Sequence, residues 1–366
     1  MKHSKNISYL VVGLALFSMF FGGGNLIFPL FVGQLAQDQW IFATCGFILT
    51  AVLVPFLGAI TMVIYKGNYT RFFSCLGNRG GFLLAFLLLG VWIPLGSAPR
   101  CITLAFSSLA KHFTMPALWL FSIGYCLLVG WISTKRSRML DILGYILTPA
   151  LLLCIAVIVF MGLKNASGLE LSSFSGSEML VRGMKEGYNT MDLIASFFFT
   201  SSIISILKKE DENENKILKT MLHSSVIGVL LLGIVYVGLI LTAAQHAPHL
   251  AGVPKVQLLV HVANTSLGAD WGVVAALAVT LACFTTSVAL ASVYIDFLKE
   301  QVFKGRQWVS LAVTLVVTFV MSIFGLEGIS FVTEPVLQIF YPLLFILIVW
   351  NVGKELLFKQ VKQEVV

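Results

Sequence analysis

Residues Phe20 to Pro29 read FFGGGNLIFP and lie inside the first long apolar stretch of the chain. A glycine in a helix interior costs about 1 kcal/mol relative to alanine, so Gly22, Gly23 and Gly24 in a row need a reason. Two readings compete. Small residues let another helix pack closely, or the helix opens at this point. An amide, Asn25, beside the glycines and Pro29 downstream read as one helix ending and another starting.

Composition fixes the solvent. Of 366 residues, 58% are hydrophobic and only 11% charged, with a mean hydropathy of +0.93. A soluble chain of this size carries about a quarter charged residues, so this is an integral membrane protein, and the long apolar segments below make it all-α. The net charge of +7 is scattered over short loops and not gathered on one face, which argues against a nucleic-acid partner and leaves membrane lipid as the surroundings. The six cysteines share no CxxC spacing and mostly sit in apolar runs, so they are expected to be buried thiols rather than disulfides or zinc ligands. The N-terminus resembles a signal peptide but lacks a small-x-small cleavage site, and is read as an uncleaved first span.

A spanning helix takes about 20 mostly apolar residues. Ten segments qualify: 9–31, 41–65, 81–110, 115–132, 139–163, 187–207, 221–244, 271–297, 308–324 and 331–350. The whole chain, 1–366, is then one transmembrane domain, with longer connections at 164–186 and 244–270 that have room for short interfacial helices. Alternating the segments with the N-terminus inside puts eighteen Lys and Arg on the cytoplasmic side, including Lys66, Arg71 and Arg79, then Lys208, Lys209, Lys216 and Lys219. The other side holds five, Lys111, Lys164, Arg182, Lys185 and Lys255. The positive-inside rule therefore places both termini in the cytoplasm.

Ten spans divide into a 5+5 inverted repeat, about 9–163 and 187–350, because an odd number per half inverts the second. The first and sixth spans become counterparts, and both are interrupted. The sixth, GYNTMDLIASFFFTSS, has Gly187, then Asn189 and Thr190, then an acidic Asp192. Paired breaks at matching positions of two halves mark the central site of a transporter.

The breaks supply chemistry without charged side chains. Free N–H groups at a half-helix start favour a carboxylate, and free carbonyls at a half-helix end favour cations. Amides around Gly22, Gly23, Gly24 and Asn25 are the candidate carboxylate site, and carbonyls from Ser18 to Phe21 face an ammonium or a metal cation. In the sixth span Asn189 is expected to cap the new half-helix, with Asp192 three residues on, while carbonyls near Gly187 and Tyr188 hold the ammonium. Asp192 fits two roles, capping exposed amides or handling substrate or proton. Arg100, after Pro99, fits a gate or structural ion pair, or snorkelling. Thr285, Thr286 and Ser287 form a run of hydroxyls that in a plain apolar helix would only bond the preceding turn.

FGGGNLIFP, GYNTMDLIA, LACFTTSVAL and PVLQIFYPLLFILI resemble, in order along the full chain, blocks of the branched-chain amino acid:cation symporter family, bacterial carriers of leucine, isoleucine and valine. SAPRCITLAF is similar to a drifted form of that family's Pro-Arg block, with Ser107 and Ser108 where an acidic residue is usual. The family's members usually carry two helices beyond the tenth; its LeuT-type architecture needs ten, with helices 1 and 6 broken. The resemblance implies secondary active transport, with no enzymatic activity and no cofactor, in the bacterial cytoplasmic (inner) membrane. It also implies that Ala282, Thr285 and Thr286, with a first-span carbonyl such as that of Phe21, hold a coupling sodium ion. The alternative is a carrier of the same architecture for an aromatic amino acid or nucleobase, coupled to protons. A protease is disfavoured, since HExxH, GxGD and GxSxG are absent. A channel is disfavoured too, since no repeated filter is evident.

Overall fold

The computed structural model describes residues 8–134, 136–166, 168–210, 213–268 and 271–364. Among them every regular element is helical. The chain begins with α1 (Tyr9–Phe20), α2 (Gly23–Ala36), α3 (Trp40–Ile48), α4 (Val54–Ile64) and α5 (Tyr69–Phe73). It continues through α6 (Gly77–Gly90), α7 (Ala98–Leu109), α8 (Leu118–Ser133), α9 (Arg136–Ile142) and α10 (Thr148–Lys164). The second half holds α11 (Gly176–Asn189), α12 (Asp192–Glu210), α13 (Glu214–Gln245), α14 (Ala247–Leu250) and α15 (Leu258–Leu267). The last elements are α16 (Gly272–Phe297), α17 (Gln307–Ile323) and α18 (Gly325–Glu364).

Six helical runs among the described residues are long and apolar enough to cross a membrane, and α11 with α12 form a further candidate, bent by 42° at its break. Shorter apolar helices are α1, α8 and α17. Their outer faces carry Leu127, Trp131, Leu153, Phe160, Ile234 and Trp350, all strongly exposed. An outward apolar surface of this extent suits lipid and not water. The protein is a multi-pass membrane protein.

Local chemistry explains the element starts. Asn68 accepts from the Arg71 N–H at the head of α5, and Asn213 from the Lys216 N–H at the head of α13. Ser175 and Glu178 form a capping box that starts α11. The sequence placed the sixth segment's start at 187, but the helix begins at Gly176. Its first turns carry Glu178, Arg182, Lys185 and Glu186, so hydropathy overlooks an amphipathic helix there. Of four wide π turns among the described residues, three, 49–53, 91–97 and 143–147, each end two residues before a proline, Pro55, Pro99 or Pro149. A proline lacks an N–H and crowds the carbonyl four residues back, and the widened turn relieves both.

The packing is reciprocal. Both α1 and α2, on either side of the first break, lie along α13; α11 lies along α3, and α12 along α4. Each interrupted pair is thus braced by the helix that follows the other one. Between them α16 packs on α1, α7, α8 and α10. All six cysteines are free thiols, with Cys101, Cys126 and Cys283 buried, but Cys45 and Cys75 are exposed on helix surfaces. An apolar run marks a helix without saying which of its faces is inward.

Candidate substrate and cation site

The first break is built from backbone. After α1 the Phe21 N–H donates to Phe17 O at 2.8 Å, and Gly22 is extended at φ −92°, ψ −174°. The Asn25 side chain folds back to accept from the Gly22 N–H at 3.3 Å, while the Asn25 N–H donates to Gly22 O at 3.1 Å. The Asn25 amide is therefore engaged; Gly23 and Gly24 have no helical carbonyl behind their N–H groups, and that of Gly23 is directed at the Cys101 and Cys283 sulfurs. The glycines also satisfy the packing argument. A Cβ on Gly23 would meet Leu104 Cδ1 at 2.7 Å and Cys283 Sγ at 2.9 Å, and one on Gly22 would meet Thr286 Oγ1 at 3.3 Å. The stretch opens the backbone and lets neighbours close on it.

The sixth break falls later than expected. Asn189 is the last residue of α11, Met191 takes a left-handed φ of 57°, and Asp192 begins α12. Asn189 does not cap α12: its side-chain amide donates to Glu186 Oε2 at 3.1 Å. The carbonyls assigned to the ammonium are also engaged. Gly187 O accepts from Thr190 Oγ1 at 2.8 Å, and Tyr188 O accepts from the Met191 N–H at 3.0 Å. Gly187 packs where a Cβ would strike Phe47 O, and the Tyr188 ring rests edge-on against Tyr341. These two residues brace the break without facing the cavity.

A small cavity of about 70 Å³ lies where the breaks meet. It is lined by Gly22, Gly23, Gly24, Asn25, Asn189, Thr190, Asp192 and Thr286 from the expected set, while Gly187, Tyr188, Phe21, Ala282 and Thr285 stand outside the lining. Arg100 faces the cavity too, which favours an inward role over snorkelling. Apolar walls come from Met19, Phe20, Phe28, Trp92, Leu104, Phe199 and Leu290. Phe20 stacks on Phe199, and Trp92 leans on the same ring at 5.8 Å.

One buried cluster ties the breaks together. Asn25 Nδ2 donates to Asp192 Oδ2 at 2.6 Å and to the Tyr236 hydroxyl at 2.5 Å, and that hydroxyl donates to Asp192 Oδ2 at 3.2 Å. The three residues come from α2, α12 and α13 and are at most 3% exposed. Sequence reading missed Tyr236; its only signal is one phenol in the middle of an apolar helix.

Below the cavity the Thr285 and Thr286 hydroxyls both reach Ser18 O, at 3.2 and 3.3 Å, and Thr285 also reaches Ala282 O at 3.0 Å. The last contact is the ordinary one within a helix; the contacts to Ser18 cross from α16 to the end of α1. Two hydroxyls and the carbonyls of Ser18 and Ala282 make a set of hard oxygen donors suited to an alkali cation. Ser18, and not Phe21, presents the first-span carbonyl to these hydroxyls, and the Phe21 ring packs on Phe17 and Tyr236. Among the described residues no group of three or more His, Cys, Asp or Glu is placed to hold a metal.

Two broken apolar helices meet at a small buried cavity inside the chain's helical bundle. Its structure is similar to the crystal structure of MhsT in complex with L-phenylalanine, with a TM-score of 0.61 over 94% of this chain and 89% of that one, at 14% identity. Residues 5–366 match the family described as branched-chain amino acid transport protein, and the chain belongs to that family. It is 31% identical to the branched-chain amino acid permease BrnQ of Bacillus subtilis, over 94% of this chain and 81% of that protein. It is 28% identical to the branched-chain amino acid transport system 2 carrier protein of Pseudomonas aeruginosa, over 95% and 81%. The relatives are permeases and carriers, and the protein is a transporter rather than an enzyme.

Proposed function

We propose that the protein imports leucine, isoleucine and valine by cation-coupled symport across the bacterial cytoplasmic membrane. It does so as a single domain of ten spans in a LeuT-type 5+5 inverted repeat with both termini inside. The observation that carries this reading is the cavity where the two breaks meet. The Gly23 and Gly24 amides at the α2 start take the substrate carboxylate, Asp192 faces the ammonium, and the rings of Phe20, Trp92 and Phe199 take the branched side chain. Sodium occupies the Ser18, Ala282, Thr285 and Thr286 oxygens, next to the cavity through Thr286. The reciprocal bracing of the first pair by α13 and of the sixth pair by α3 and α4 supports the inverted repeat, and the eighteen-to-five basic asymmetry supports the orientation.

Purified carrier in vesicles tests the transport. Labelled leucine should accumulate when sodium is imposed outside and not when potassium replaces it. Equal uptake under both salts would replace sodium by protons as the coupling ion; no leucine uptake under either would remove the substrate assignment. Single cysteines at Glu170→Cys and Glu214→Cys, in a background without Cys45 and Cys75, should label from outside and inside respectively. Labelling from one side would remove the ten-span topology. The aromatic lining gives the second reading, an aromatic substrate, which phenylalanine competing better than leucine would establish.

A further inference from the structure

The Asp192 carboxylate is 2% exposed in the middle of the protein. The groups that bond it, Asn25, Tyr236 and Thr190, are all neutral. Other titratable groups come from several of the elements packed around it. From α7 come Arg100 and Cys101, lining the same cavity, and from α16 comes Cys283. Tyr341 of α18 stands against Tyr188 of α11, α2 and α4 carry no titratable side chain, and the one on α1 is Tyr9, at the end away from the break. The ion pair of Glu186 with Lys255, at 3.3 Å, belongs to the end of α11 and the segment before α15. An ionised carboxylate buried among neutral donors costs several kcal/mol, and that cost disappears if the group is protonated or faces a cation.

Resting on the transport reading above, we propose that Asp192 holds a proton while the cavity is empty and releases it to water when the substrate's ammonium takes its place. The O–H bond of the Asp192 carboxyl breaks, its proton leaves to solvent, and the carboxylate left behind forms an ion pair with the intact ammonium. No electron moves. Among the cluster, the substrate and the sodium the charges then balance, and the Arg100 charge lining the same cavity is the same in both states. The empty cluster is neutral; the loaded one holds the Asp192 and substrate carboxylates as two negative charges, against the ammonium and one sodium as two positive charges. The cation at Ser18 and the threonines is thereby what makes proton release affordable in a lipid-surrounded cavity. Asn25 and Tyr236, both bonding Oδ2, keep the carboxylate aimed while its charge changes, and are positioning residues.

The exchange is read by calorimetry of leucine binding to the purified full-length carrier, at one pH near 6.5 and saturating sodium, in phosphate and in Tris. These buffers differ widely in ionisation enthalpy, so the difference in heats counts protons. About one proton should be released per leucine bound, and leucine affinity should rise by up to about ten-fold per pH unit between pH 6 and 8, because proton and ammonium compete for one group. Asp192→Asn that still binds leucine should release none. If that variant does not bind, Glu186→Gln takes its place: retained release supports Asp192, and lost release moves the proton to the outer ion pair and overturns the proposal. Leucine heats that are the same in both buffers, with affinity independent of pH, overturn it while leaving the transport reading intact. The absence of any leucine heat in the wild-type carrier would instead count against the transport reading itself.

Discussion

The two breaks do the same job with opposite materials. The first is all glycine, yet none of its three glycines has a positive φ. What they provide is room, since Leu104, Cys283 and Thr286 occupy the space a Cβ would need. The sixth break has no glycine at its turning point, and there Met191 itself takes the left-handed conformation, which costs a side-chain-bearing residue of order 1 kcal/mol or more. The two asparagines differ likewise. Asn25 reaches across to Asp192 and Tyr236, whereas Asn189 spends its amide locally on Glu186. A glycine run in a membrane helix therefore marks close approach as much as backbone freedom, and a break can be held by packing where no glycine announces it.

The largest effect that tests this contrast is at Gly23. Gly23→Ala should leave folded, monodisperse protein but lower leucine affinity by about 100-fold or more, since Leu104 of the cavity wall and the neighbouring Cys283 must shift. Near-normal binding by that variant would make the first break as tolerant as the sixth. Next is Tyr236→Phe, which removes one hydroxyl from the cross-break cluster. It leaves Asn25 Nδ2 and Asp192 each short of a partner, and leucine should bind about ten-fold more weakly in equilibrium dialysis. An unchanged affinity would reduce the cluster to packing.

Smaller again is Thr285→Val, which keeps volume and removes a hydroxyl outside the cavity lining. The sodium concentration for half-maximal uptake should rise about five-fold while leucine affinity at saturating sodium holds. Thr286→Val, inside the lining, should move both. Identical sodium curves for wild type and both variants would return the hydroxyls to ordinary helix contacts. The smallest effect belongs to Asn189→Ala, which should alter leucine affinity by less than about three-fold, because that amide braces Glu186 and not the amides of α12. Abolished binding there would restore the capping role that its position in the sequence suggests.

The contrast also explains what could be read in advance. Long apolar segments, the basic asymmetry and the Gly-Gly-Gly-Asn block are visible because lipid, orientation and helix breaking each impose a local composition. The identity of the paired break was visible through its polar residues, but its turning point was not, since methionine carries no left-handed signature. Tyr236 lies 211 residues from Asn25 in the chain, and no local pattern states that they touch. Trp92, Leu104 and Leu290 escaped for the same reason: an apolar residue facing a cavity is indistinguishable in sequence from one facing lipid. Only the arrangement of α7, α12 and α16 around the breaks separates the two.

The central claim is that the main chain of the first break reads a substrate carboxylate while an apolar wall reads a branched side chain. Its most direct measurement is counterflow of labelled leucine in vesicles holding the purified carrier, with unlabelled competitors added at equal concentration. Isoleucine and valine should compete within about ten-fold of leucine, because one methylene in an apolar pocket is worth only about 1–3 kcal/mol. Lysine should fail, for want of a partner for its second charge. Leucine methyl ester should fail because it lacks the carboxylate that the Gly23 and Gly24 amides bind. Strong competition by lysine or by the ester would contradict the account at its centre.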